Sequence, residues 1–307
     1  MRGLIPRAAV DGDLTVTRGG RRRVETLLHW PTTLYLILVT QAPFLYALWL
    51  SLHSWNLQMP GLGVPFVGLE NYAYDLFQDS TFWISILNTF VITAGTVIVM
   101  LILGFVFALL LNRRLPGRGL LRTLLIIPFL VTSAVTAVLW KDTLLNPTYG
   151  MVNYLLSVVG IHGPPWLTNY GLVSIIAMNV WQWTPFCFLI LLSGLQALPE
   201  EVMEGAQLDG AGRVALFRHI IVPQMVRYIE VAVLLGSIFV FQTFGKIYIG
   251  TGGGPGVATT NLSYYVYRVA FLDFSVGGAA SLGVIGVVLA FVAVQLLFRV
   301  FREGTAL

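Results

Sequence analysis

The sequence predicts an all-α membrane protein with six transmembrane helices. Across 307 residues only 10% are charged and 57% are hydrophobic, whereas a soluble domain carries about 25% charged residues. The mean hydropathy of +0.81 is hard to reconcile with a surface that faces water. The apolar residues also gather in long runs, and a hydrocarbon core about 30 Å thick needs about 20 of them per helix.

Six runs meet that length. They lie at about 27–52, 83–111, 119–140, 171–196, 222–249 and 276–300. The first follows a polar stretch of mixed charge and is long enough to span, so it reads as a span and not as a cleaved leader. Pro31, Pro43 and Pro128 fall inside or near spans. A spanning helix tolerates them where neighbours or water satisfy the freed carbonyls. Between the third and fourth runs, Met151–Val159 reads as a short surface helix, and Gly163-Pro164-Pro165-Trp166 as a turn. Residues 53–82 read as a loop. Its Trp55, Tyr72 and Tyr74, with Trp83 at its end, fit either an interfacial belt or ordinary packing. Cys187, the single cysteine, excludes an intrachain disulfide and reads as a small buried hydrophobe. Ala279 and Gly283 have the small-xxx-small spacing of close helix packing.

Orientation follows from Lys and Arg. With both termini in the cytoplasm, that side holds Arg2, Arg7, Arg18, Arg21, Arg22, Arg23, Arg113, Arg114, Arg118, Arg122, Arg213, Arg218, Arg227, Arg299 and Arg302, which are 15 of the 18. Lys141, Lys246 and Arg268 remain outside. The bias obeys the positive-inside rule. It explains the pI of about 9.3 without nucleic acid, because anionic membrane lipids suffice as partners. The chain then divides into a basic cytoplasmic segment, 1–26, a six-helix domain, 27–302, and a short tail, 303–307.

The longest cytoplasmic connection, about 197–223, is the informative one. Pro199 followed by Glu200 and Glu201 makes a good helix start, since proline suits the first turn and acids face the positive end of the dipole. Gly210 then ends or kinks that helix. A second short stretch runs from Ala211 to about Ile221, and Pro223 opens the fifth span. Two short helices meeting at a glycine make a knob suited to a groove in a soluble partner.

This stretch resembles the EAA loop of binding-protein-dependent ATP-binding-cassette (ABC) importer permeases. That pattern is Glu-Ala-Ala, three residues, Gly, nine residues, Ile, one residue, Leu, Pro. Here Glu204-Gly205-Ala206, Gly210, Ile220 and Val222-Pro223 keep every spacing, with Gly205 for Ala and Val222 for Leu. The resemblance implies the type I ABC importer permease fold in the bacterial cytoplasmic (inner) membrane. It implies a pseudo-symmetric partnership with a second homologous permease, two ABC ATPase subunits and an extracytoplasmic solute-binding protein. Glu204, Gly205, Ala206, Asp209, Gly210, Ala211 and Pro223 would couple the chain to an ATPase subunit. The chain would bind no cofactor, with ATP and magnesium used by the partners, and would not be an enzyme. Leu198-Pro199 and Thr251-Gly252-Gly253-Gly254-Pro255 resemble the carbohydrate-uptake branch, maltose-type permeases among them. Ala258-Thr259-Thr260-Asn261-Leu262, with Phe244-Gly245, resembles sorbitol/mannitol permeases. The implied cargo is a sugar or a sugar alcohol, moved by alternating access.

Intramembrane polar residues are candidates for the path. The fourth span offers Asn179, Trp181, Gln182, Trp183, Thr184 and Phe186, and the fifth offers Ser237, Gln242 and Thr243. Aligned through the EAA loop, Trp181, Gln182, Trp183, Phe186 and Thr243 include positions that resemble the sugar site of maltose-type permeases. Gly236 and Val240 fall on such positions without polar side chains. Gln182, Trp183, Phe186, Gln242 and Thr243 are therefore the expected lining. Aromatic faces with amides suit a polyol, and helix–helix glue is the alternative. Gly252-Gly253-Gly254 lacks the Gly-Lys-Ser/Thr of a phosphate loop, so ATP hydrolysis belongs elsewhere. The four His are scattered and form no HExxH motif. An ion-coupled secondary transporter would want ionisable residues at the midplane, and none stands there firmly.

Overall fold

The computed structural model describes residues 18–113 and 115–304. Arg2, Arg7, Arg114 and the end of the tail lie outside the described residues, as do the side chains of 18–28, 200, 207 and 302–304. The described residues up to Trp49 form one compact unit, and those from Leu50 onward form another. Helix α1 (Arg18–Ser51) contains Pro31 and Pro43; its large apolar side chains from Trp30 to Trp49 are exposed, and Leu50 is buried. The packing described below is that of the second unit.

Residues 53–82 hold more structure than a loop. Helix α2 (Glu70–Phe77) is tied back by Asn71 Nδ2 to Ser51 O at 2.8 Å, and isolated bridges pair His53 with Phe66 and Asn56 with Ser275. Helix α3 (Ser80–Asn112) starts where Asp79 accepts from Thr81 N at 2.9 Å, an N-cap that offsets an orphan donor. The third predicted span is corrected. It is not one helix but α4 (Arg118–Leu130) and α5 (Ser133–Val138), bent by 98°. Pro128 removes a backbone donor just before the break, and Thr132 caps α5 by accepting from Val135 N.

A π turn, Leu139–Leu144, leads to α6 (Met151–Val158), the predicted surface helix, and to α7 (Trp166–Asn169). Helix α8 (Gly171–Gln196) matches the fourth predicted span. Helices α9 (Glu200–Leu208) and α10 (Arg213–Leu216) form the connection, and a π turn joins α10 to α11 (Val222–Phe241). The fifth predicted span also needs correction: it stops at Phe241, and α12 (Gly245–Gly250) follows as a separate short helix. Helices α13 (Leu262–Phe271) and α14 (Val276–Gly304) complete the chain.

Among the described residues, five helices are long and apolar enough to cross a membrane, or six if the bent α4–α5 pair is one span. Helix α8 is central and packs on α3, α4 and α11. Met100 and Ala108 of α3 meet Cys187, Phe188 and Leu191 of α8 and Met225 and Ala232 of α11, all fully buried. Cys187 thus packs as a small hydrophobe. Within lipid this contact is driven by van der Waals fit more than by escape from water. Val287, Val288, Val292 and Leu296 of α14 remain exposed, as lipid-facing side chains would be. Ala279 is buried, but a Cβ on Gly283 would meet open space. Gly283 lines an apolar groove of about 880 Å³ between α3, α11 and α14.

Candidate functional site

Two regions carry chemistry. The first is the connection 197–223. Helix α9 begins at Glu200, directly after Pro199, and ends at Leu208; in the turn that follows, Gly210 has a φ of +83°, in the left-handed region. Ala211 N then donates to Ala206 O at 2.9 Å, a bond back across the turn that satisfies a terminal carbonyl. Leu198, Met203 and Leu216 pack on the core and anchor the knob. Its tip is bare: Leu208 is 89% and Val214 is 79% exposed on either side of the bend. Glu204, Asp209 and Gly210 are exposed, as is Pro223, and Gly205, Ala206 and Ala211 are partly so. A Cβ on Gly205 would meet nothing within 4 Å, so alanine, the residue in the resembled pattern, fits there.

The second region surrounds α8. Gln182 is buried, and its Nε2 donates to Val131 O at 2.5 Å, at the break between α4 and α5. Its Oε1 has no partner. Beside it, Trp183 stacks on Phe239 with centroids 4.9 Å apart and planes 5° apart. Phe129 and Phe186 complete this group. Trp183 and Phe186 are half-buried, and Phe239 is exposed. Gln242 is exposed at the end of α11 and borders the groove.

Thr243 sits elsewhere, inside a buried polar network. Its Oγ1 donates to Asn179 Oδ1 at 3.1 Å, and its carbonyl accepts from Asn261 Nδ2 at 2.6 Å. Lys246 Nζ also donates to Asn179 Oδ1, at 2.7 Å. The irregular backbone between α11 and α12 is therefore covered by protein, as it must be at membrane depth. The structure brings Gln182, Trp183 and Phe186 to one face and seals Thr243 behind it. Sequence reasoning missed the Lys246 contact because that lysine reads as an outer-loop charge. It also missed both helix breaks, for which Pro128 and Phe244-Gly245 were the only signals. Among the described residues, no cluster of His, Cys, Asp or Glu could hold a metal.

A bundle of apolar helices, one of them broken at depth, with a projecting two-helix knob, defines a membrane-embedded transport subunit. The chain belongs to the binding-protein-dependent transport system inner membrane component family, whose model matches residues 100–305. It is 38% identical over 305 residues to the probable ABC transporter permease protein y4oQ of Sinorhizobium fredii, covering 98% of this chain and 97% of that one. It is 38% identical over 264 residues to the trehalose/maltose transport system permease protein MalF of Thermococcus litoralis, covering 85% and 88%. Among solved structures, a chain of a bacterial alginate ABC transporter in complex with a pentasaccharide-bound periplasmic protein superposes with a TM-score of 0.78. That match covers 93% of this chain and 96% of the other at 22% identity, and it shows the shared fold. The protein is thus a multi-pass inner-membrane permease subunit of an ABC importer that works with a binding protein, and not an enzyme. Nothing in these relationships supports an ion-coupled carrier.

Proposed function

We propose that this chain is one of two homologous permease halves of a saccharide importer, driven by two separate ABC ATPase subunits. The observation that carries the coupling role is the knob itself: α9 and α10, bent at Gly210, with Leu208 and Val214 bare at the tip. Glu204, Gly205, Ala206, Asp209, Gly210, Ala211 and Pro223 form its seat on an ATPase subunit. The arginine distribution supports a cytoplasmic knob and cytoplasmic termini. ATP and magnesium serve the partner, and this chain carries no cofactor. Closure of the ATPase pair pulls the knob and rocks the bundle, opening the path toward a loaded solute-binding protein.

The cargo is a sugar or sugar alcohol, a reading supported by relatives named for trehalose and maltose. Gln182, Trp183, Phe186 and Gln242 border its path, with Thr243 behind them. Exchanging Glu204→Lys tests the coupling role. Uptake is expected to vanish and ATPase co-purification to weaken, while the chain still inserts in the membrane. Normal uptake in that variant would remove the role assigned to the knob.

A further inference from the structure

The connection that carries α6 and α7 has no charge of its own. No Asp, Glu, Lys or Arg occurs between Asp142 and Glu200. The other connections between spans all carry charges: Glu70, Asp75 and Asp79 before α3, Arg113 and Arg114 before α4, and Arg268 and Asp273 before α14. A stretch turned wholly to water would be expected to carry them too.

Helix α6 also turns its apolar side away from the protein. Val152, Asn153 and Leu156 are half-buried, whereas Met151, Tyr154, Leu155 and Val158 are exposed. Those four stand at i, i+3, i+4 and i+7 and form one stripe of the helix. Val158 is 70% exposed. A stripe of this kind ordinarily faces a core. Here its outward direction is fixed from the opposite side. Asn153 Oδ1 accepts from Trp166 Nε1 at 2.6 Å, and Asn153 Nδ2 donates to Pro147 O at 3.3 Å and to Pro164 O at 3.4 Å. Gly163 permits this approach, because a Cβ there would collide with the Asn153 amide. Trp166 O in turn accepts from Ser174 Oγ, in the first turn of α8, at 3.3 Å. Helix α6 is thereby tied to the end of a span, where the chain enters the membrane. Beside the stripe lies a hollow of about 640 Å³, bordered by Met151 and Tyr154 and by the polar side chains of Thr143, Thr148, Ser157 and His162.

We propose that α6 lies in the extracytoplasmic lipid interface, with its stripe against acyl chains and the hollow at headgroup level. This rests on the membrane orientation given above and not on the cargo. An apolar stripe beside a polar hollow, with tyrosines at the margin, matches the two layers of a bilayer boundary. A soluble partner would be met by a polar, charged rim, and this connection supplies no charge. With no Lys or Arg, the helix is held by apolar insertion and needs no anionic lipid.

The test uses the assembled transporter in vesicles of phosphatidylethanolamine and phosphatidylglycerol, with a fluorophore on Leu155→Cys, Val158→Cys or Ser157→Cys in turn. Cys187 is fully buried and stays unlabelled. Without binding protein, nitroxide on the acyl chains is expected to quench the labels at the Leu155 and Val158 positions roughly threefold more than the label at the Ser157 position. Iodide is expected to quench in the reverse order. Reaction of Ser157→Cys with an impermeant maleimide on intact spheroplasts checks the orientation separately, so a wrong topology is told apart from a wrong seat. Equal quenching of all three labels overturns the proposal. Shielding of the Leu155 and Val158 labels from both quenchers also overturns it, by assigning the stripe to the partner permease. Labels there that face iodide alone, and are covered only when loaded binding protein is added, assign the stripe to that protein and overturn it too.

Discussion

Gln182 Nε2 reaches Val131 O at 2.5 Å and so clamps the middle of α8 to the break between α4 and α5. The break frees carbonyls that lipid cannot satisfy, and each unsatisfied buried group costs about 1–3 kcal/mol. Gln182→Leu is therefore expected to destabilise the chain by about 1–3 kcal/mol and to lower uptake. The check is thermal unfolding in nanodiscs beside transport. A normal midpoint with impaired uptake would instead make Gln182 a cargo contact alone.

At the knob, backbone conformation separates two glycines that share one motif. Gly210 sits at φ +83°, and Gly205 lies within α9 facing open space. A side chain at a left-handed position costs about 1 kcal/mol, whereas alanine within a helix gains about as much over glycine. Gly210→Ala should weaken ATPase co-purification and lower uptake severalfold. Gly205→Ala should leave both unchanged or slightly improved. Equal effects from the two would show that the bend is not what the partner reads.

Lys246 is buried at 2% exposure with Asn179 Oδ1 as its acceptor. A buried donor that loses its acceptor costs about 1–3 kcal/mol, while replacing both partners by apolar groups of similar shape can be nearly neutral. Asn179→Leu alone should strongly lower the unfolding midpoint. Asn179→Leu combined with Lys246→Met should recover most of the loss. A double variant as unstable as the sum of the singles would refute the coupling between them.

The spans and the knob were legible because each depends on local information. Hydropathy runs mark α3, α8 and α14, and Pro199 and Gly210 bound α9 through backbone preferences alone. The breaks were not legible, because α4–α5 and α11–α12 still read as continuous apolar runs. They persist only because distant side chains satisfy them, Gln182 at Val131 and Asn261 at Thr243. For the same reason Thr243 and Gln182, neighbours in a list of polar span residues, serve different surroundings. The packing of α13 on α3 was not legible either, because it depends on an 11-residue return after α12 that folds back on α3, where Asn88 Nδ2 donates to Thr260 O at 2.9 Å.

The corner where α2 meets α14 carries a pH dependence. Asp75 is buried, and Ser281 Oγ donates to its Oδ2 at 2.5 Å. Burial pushes the Asp75 carboxyl up from 3.8 to about 6; the Ser281 bond partly opposes this, and the nearby Asp79 charge adds to it. Asp79 is itself held by the Tyr265 hydroxyl. The folded chain therefore keeps a proton that the unfolded chain releases between pH 3.8 and about 6. Stability from this group is greatest below that window, declines as pH rises through it, and stays at its lower level above it. Asp75→Asn removes the cost of a buried carboxylate and should raise stability at pH above about 7 by about 1–2 kcal/mol. The difference between variant and unaltered chain should shrink toward zero as pH falls to about 4. Unfolding midpoints of both, measured across that range in nanodiscs, give the difference directly. A difference that does not change with pH would mean that Asp75 is not the titrating group.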